Sequence, residues 1–435
     1  MSVVETAGPG LSRIARRLSG GLIAMTTAGT LLQVVVIAFL GHLGGAALYA
    51  RSVYLPFGFL ALALTEGLVI GVQVSTARAR REGRTGDAGG VLTVAAGAGV
   101  AGMLGLAGLT AACAGPLSVL FAVPAAERAA VWTFVVATLA AGAIALLPTL
   151  VGASLRGCGR TRTAGGLAVA ESVLVFGAVL AAQALWSTGP LSVPVGFAAG
   201  SLPVLAAAAG LSARAGIRPA VPARLTACLR PLWTIALPVA GSFLVLALSS
   251  SGYLRLIAGS GPGAVAGFGL GQSVQTFLIV PATAIGSAAA LALTLHGGPG
   301  DDPLRLLLRL AVPAYLAVGA AVFVLREPLV ALFAGDERVR AVAVDYLGLI
   351  GPSLALLGVT LAVLTYLEQS GHAPAALLLN VTFFAAVLAL GALLGGGSLA
   401  PHTLIVLIAV ANVPGCCCVL AAARALLRRP EGRIA

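Results

Sequence analysis

Two carboxylates stand alone in otherwise apolar sequence. Glu66 sits between Leu60-Ala-Leu-Ala-Leu-Thr65 and Gly67-Leu-Val-Ile-Gly71, and Glu171 between Leu167-Ala-Val-Ala170 and Ser172-Val-Leu-Val-Phe176. An ionisable side chain near the centre of a bilayer costs about 2.5–3.5 kcal/mol on insertion scales, so it faces a cavity or a partner rather than hydrocarbon. A carboxylate placed there can load a proton or a small cation from one side and release it on the other. The same group can also tie two helices together as a protonated hydrogen-bond donor, and the residues allow both roles. Gln33, Gln272, Gln275 and Asn380 add uncharged polar groups to apolar stretches. Gln272 and Gln275 are three apart and share one helical face, where they either bind helices together or line a cleft. Arg255, at the outer end of one apolar run, and Asp345, at the start of another, are expected to pair, and with Gln33, Gln272, Gln275 and Asn380 they are the candidates to line the cleft.

The elements that position these groups follow from composition. Hydrophobic residues make up 59% of the 435 residues and charged residues 9%, against roughly 25% charged in soluble domains. Uncharged runs extend over 18–50, 88–126, 129–155, 172–213 and 256–300. A bilayer crossing needs about 20 apolar residues. A spanning backbone must satisfy its own hydrogen bonds, which leaves helices or closed barrels. The runs are continuous rather than alternating, so helices are expected. The net charge of +12 does not indicate nucleic acid, because the arginines sit in short clusters between apolar runs, where they orient helices and meet lipid head groups. Cys416, Cys417 and Cys418 point about 100° apart on a helix and cannot converge on a metal. No Walker A sequence, Ser/His/Asp arrangement or zinc-ligand set is present, so no enzyme activity, metal or cofactor is expected.

Twelve spans are expected, near 20–42, 52–76, 89–112, 130–154, 163–185, 193–213, 232–258, 264–295, 304–325, 341–366, 373–394 and 403–423. The eighth exceeds one bilayer thickness and must tilt or kink, with Pro281 the kink point. With the N-terminus inside, 20 of the 26 arginines fall on inside segments and 5, Arg51 among them, on outside loops, which predicts cytoplasmic termini in a cell membrane. The chain also repeats: Pro116-Leu-Ser-Val-Leu-Phe-Ala122 matches Pro328-Leu-Val-Ala-Leu-Phe-Ala334 at an offset of 212. That offset contains six spans, an even number, so the halves are parallel repeats. The expected architecture is an all-α polytopic membrane protein of two six-helix bundles, 1–213 and 232–435, joined by a cytoplasmic linker at 214–231, around a central cleft within a monomer.

The segment Leu155-Arg-Gly-Cys-Gly-Arg-Thr-Arg-Thr163 resembles the Leu-Arg-Gly-x-Gly-Asp-Thr-Arg motif of the multidrug and toxin extrusion (MATE) transporters. Leu40-Gly-His-Leu-Gly44 is similar to that family's Val-Gly-x-Leu-Gly. The resemblance makes Arg156, Gly157 and Gly159 the family-motif loop. It implies export of amphipathic, often cationic, organic compounds by alternating access, driven by a proton or sodium gradient. Two departures matter. The family's loop Asp is Arg160 here, and the first-span acid of the proton-coupled branch is replaced by Val36. The usual coupling site therefore does not carry over, and Glu66 and Glu171 become the coupling or substrate-contact candidates. A flippase for lipid-linked sugars is the alternative within the superfamily. A membrane enzyme or a scaffold without transport is the alternative outside it.

Overall fold

The computed structural model describes residues 29–81, 83, 85–218, 220, 237–296, 302–396 and 398–427. The expected start of the first span and most of the linker lie outside these residues. Described in chain order are α1 (Gly29–Leu43), α2 (Gly45–Arg81), α3 (Thr85–Ala112), the short α4 (Ala114–Leu120), α5 (Arg128–Gly157), α6 (Thr161–Trp186) and α7 (Ser192–Arg214). The second half supplies α8 (Leu237–Ile257), α9 (Pro262–His296), α10 (Pro303–Ala331), α11 (Glu337–Leu367), α12 (Ala373–Gly395) and α13 (Pro401–Leu427). Eleven of these helices are long and apolar enough to cross a membrane, and α1 is a shorter apolar helix. Together they match the twelve expected spans one for one.

Many hydroxyl groups inside these helices are neutralised locally, as an apolar solvent demands. Ser52 donates to Leu48 O (2.8 Å), Thr65 to Ala61 O (2.9 Å) and Ser273 to Gly269 O (2.7 Å). Pro281 lies inside the 35-residue α9. It has no N–H to donate to the turn before it. The Tyr315 hydroxyl, reaching across from α10, donates to Leu278 O at 3.0 Å in that turn and lies 3.3 Å from Ile279 O.

Ser52, two turns into α2, meets Gly269, two turns into α9; a Cβ at Gly269 would fall 2.2 Å from Ser52 Oγ. The two helices therefore enter from the same face, as parallel repeats require. At that end one buried core joins the halves. Ile37 and Leu40 of α1, Phe57 of α2 and Trp132 of α5 belong to the same cluster as Ile257, Phe268, Phe333 and Tyr346. At the other end, where α7 stops and α8 begins, the core divides. Leu68, Val72, Leu92 and Leu150 form one cluster, and Leu307, Tyr315, Leu367 and Cys416 another. The molecule is thus closed at the end where α2 and α9 begin and separates towards the linker end.

The closed end depends on close packing, because lipid offers apolar groups as good a home as another helix does. Edge-to-face ring pairs reinforce it: Phe57 with Trp132 at 5.9 Å, and Phe268 with Tyr346 at 5.3 Å. The Trp132 indole N–H also donates to Ser118 Oγ at 2.7 Å.

Candidate functional site

On α2, Leu55 and Phe59 pack against Ala247 of α8. Ser52, Phe59 and Glu66 are spaced by seven residues, so they fall on one stripe of the helix. The stripe starts in contact with the second half and runs into the region where the cores divide. Glu66 is half-buried there. The charge that acts on it is the Arg156 guanidinium of α5. Arg156 Nε in turn donates to Gln73 Oε1 of α2 at 2.9 Å. Glu66, Gln73 and Arg156 therefore form one polar group between α2 and α5, on the cleft side of the first half.

The family-motif loop builds the base of this group. A Cβ at Gly157 would lie 2.5 Å from Gln73 O and 2.8 Å from Thr76 Cβ, so only glycine lets α5 approach α2 here. Gly159 has φ of +78°, and Arg160 N–H returns to Leu155 O at 2.9 Å. This is a left-handed helix cap that glycine takes without Cβ strain. Arg80 Nη1 donates to Cys158 O at 2.8 Å and ties the loop to α2.

Glu171 lies elsewhere. It sits half-buried on α6 and accepts from Ser201 Oγ of α7 at 3.0 Å. The two carboxylates thus have different partners on different helices. In the second half Gln275 Oε1 accepts from the Tyr346 hydroxyl, while Gln272 Oε1 is buried without a donor among the described residues. Gln33 on α1 and Asn380 on α12 are both half-buried.

Two expectations need correction. Arg255 is exposed and does not meet Asp345. Asp345 is paired instead with His402 of α13, at 2.7 Å from Nδ1. Asp345 lines a surface hollow with Phe323 and Arg326 rather than the cleft between the halves. Both departures arise because helix rotation about the axis, which sequence spacing alone does not set, decides which neighbour a terminal side chain meets. Arg51, counted above with the loop arginines, lies in the second turn of α2. Its Nη1 is buried without a partner among the described residues, and its guanidinium stands 5.3 Å from the Tyr54 ring centre.

One group was missed outright. Glu368 follows α11, and its Oε1 accepts from Ser242 Oγ of α8 at 2.9 Å. The offset of 212 places Glu368 at the position of Arg156, and Gly371, with φ of +91°, at that of Gly159. The repeat thus keeps its turning glycine and reverses the charge beside it. The signal lies in the offset, which pairs Leu155 and Gly159 with Leu367 and Gly371. Glu368 lies between the spans Glu337–Leu367 and Ser370–Gly395. Burial pushes its carboxyl above the ordinary range, and the Ser242 hydrogen bond opposes this.

Comparison with known proteins places this geometry. Residues 238–393 match the MatE family. No curated protein matches the sequence. Among solved structures, a mutant of the Vibrio cholerae MATE transporter VcmN is 21% identical, with 96% of this chain and 97% of that one covered and a TM-score of 0.75. A multidrug resistance MATE family transporter in its inward-facing conformation is 17% identical, with 92% and 94% covered and a TM-score of 0.75. A MOP superfamily transporter from Pyrococcus furiosus, for which reverse polarity of the binding pocket suggests a different function, is 17% identical, with 97% and 99% covered and a TM-score of 0.73. The chain is therefore a multi-pass membrane protein, placed with the MATE transporters by fold along nearly its whole length and by the MatE family match over residues 238–393.

Proposed function

We propose that this protein is a secondary active transporter that exports amphipathic, often cationic, organic compounds in exchange for protons or sodium ions. The observation that carries this is the placement of Glu66. It stands on the α2 stripe that leads from the closed contact between the halves into their separation, beside Arg156 and Gln73. A carboxylate there can hold a cation while the cleft is open to one side and lose it when the halves rock. The Arg156 guanidinium supplies a fixed positive charge beside that carboxylate, so a cation that binds Glu66 does so in competition with Arg156. Moving one charge across about 100 mV releases roughly 2.3 kcal/mol, which sustains about fifty-fold accumulation. Glu171, tied to Ser201, is the second candidate. In this reading the bundles 1–213 and 232–435 move about the linker 214–231, both termini are cytoplasmic, and a single copy in the cell membrane suffices because the cleft lies within one chain.

A second reading, a flippase for an anionic lipid-linked substrate, draws support from Arg51 and Arg156, two arginines carried on membrane helices. One experiment separates them. The full chain is reconstituted in vesicles, and efflux of a fluorescent organic cation is followed under an imposed proton or sodium gradient. Gradient-driven efflux that Glu66→Gln abolishes supports exchange. Efflux equal to wild type in both Glu66→Gln and Glu171→Gln rules out these carboxylates as the coupling groups. No efflux, with movement of a diphosphate-headed lipid instead, favours the flippase.

A further inference from the structure

The closed end holds a cavity of about 230 Å³ lined by residues of both halves, among them Tyr49, Glu127, Pro262 and Asp336. Tyr49 is only 2% exposed, yet its hydroxyl makes no hydrogen bond within the described protein. Its ring lies close enough to Glu127 to feel that charge. Glu127 occupies the residue before α5 but makes no capping hydrogen bond to that helix, and its Oε2 is buried without a donor among the described residues. Asp336 spends Oδ1 on the Arg338 and Val339 N–H groups that it caps. Its Oδ2 faces Gly45, where a Cβ would come within 3.2 Å. Of the nearby cations, Arg128 Nε donates to Val123 O at 3.1 Å, and the Arg338 stem lies over Gly263 in the cavity wall. Among the described residues neither carboxylate has an arginine partner.

Buried oxygen atoms without donors are rare in folded proteins, and each asks for an unseen partner. Glu127 Oε2 is such an atom, and the Tyr49 phenol and the exposed Asp336 carboxylate line the same space, together the ligand chemistry of a hard cation. The space is larger than a bare ion, which suits an ion that keeps part of its water or a small ammonium group. We propose that this cavity binds a monovalent cation between Tyr49 and Glu127 of the first half and Asp336 of the second. Such a cation bridges the halves, so it binds only while this end is closed and stabilises that state by mass action. The site stands on this geometry and does not depend on what crosses the cleft.

The test uses the purified full chain in nanodiscs, with thermal melting and calorimetric titration against sodium chloride and methylammonium chloride. N-methyl-D-glucamine chloride, a bulky polyhydroxylated cation, controls for ionic strength. Sodium or methylammonium should raise the melting midpoint saturably, and the arm that does so identifies an inorganic or an organic occupant. Glu127→Gln and Asp336→Asn should each weaken binding at least about tenfold, the scale of one lost charge-assisted contact. Asp336→Asn keeps an acceptor for the α11 cap, so it reads the site even if Glu127→Gln fails to fold. Gly269→Ala, which touches no ligand but parts the halves, should weaken binding too. Glu337→Gln, an exposed acid outside the cavity, should leave affinity unchanged. No saturable response to either cation would overturn the proposal, as would equal weakening by Glu337→Gln and Glu127→Gln.

Discussion

Replacing Gly269 with alanine adds one methyl group where the halves touch. That Cβ would lie 2.2 Å from Ser52 Oγ, 2.5 Å from Ser52 Cβ and 3.2 Å from Ser52 Cα. The first two distances are far inside van der Waals contact, and the third involves backbone that cannot rotate away. The helices α2 and α9 must part by about 1 Å to accept the methyl, and overpacking of this kind costs about 1–3 kcal/mol. The strain exists only while this end is closed. The equilibrium should therefore move towards the state open at this end by about 5- to 150-fold. Val265 reports the shift. It lies one turn before Gly269 on the same stripe of α9 and is 4% exposed within the shared core. A cysteine there reacts with maleimide only when the end opens, and peptide mass spectrometry reads its labelling apart from the native cysteines. Labelling of Val265→Cys should accelerate by that factor in Gly269→Ala, and Ser52→Gly should restore most of the protection. An unchanged rate in Gly269→Ala, with the melting midpoint also unchanged, would refute the contact between the halves.

Three further outcomes are expected. Ser201→Ala and Glu171→Gln remove the two ends of one hydrogen bond, so their effects on the melting midpoint should be non-additive, with a coupling of about 0.5–1.5 kcal/mol by double-mutant cycle. Trp132→Phe deletes the donor to Ser118 and should destabilise by about 1 kcal/mol in denaturant titration. Glu368 carries a pH signature. Its carboxyl is raised in the folded protein, so its neutral form is the one that suits the fold. The stability it contributes is complete below its unfolded value near 4.5 and is lost as pH rises through the raised folded value. Glu368→Gln should flatten that fall in melting midpoint with pH; an identical pH profile would show that Glu368 is not buried as described.

The spans were legible because a bilayer leaves little choice: an uncharged run of about 20 residues has to be a helix. The parallel repeat was legible because Pro116 to Ala122 and Pro328 to Ala334 share five of seven residues, and an even span count fixes their relation. The motif loop at Arg156, Gly157 and Gly159 could be read because backbone geometry restricts glycine there. Rotation of side chains about the helix axis was not legible. Asp345 was assigned to Arg255 from shared depth, yet it meets His402, because depth along the normal says nothing about azimuth. Arg51 was taken for a loop residue because a basic residue before an apolar run reads as a boundary. The chain turns so tightly at Gly44 that α2 has already begun at Gly45. Glu368 escaped because the repeat preserves its backbone while reversing its charge.

The central claim is that the two ends open in alternation. It is tested most directly by measuring two distances in the same preparation by electron paramagnetic resonance. One spin-label pair spans the closed end, at Ala126 and Arg340, and the other spans the linker end, at Arg160 and Ala425, all four exposed. Under conditions that shift the population, alternating access requires the first distance to lengthen as the second shortens. Distances that rise and fall together, or that stay fixed while substrate crosses the membrane, would contradict it.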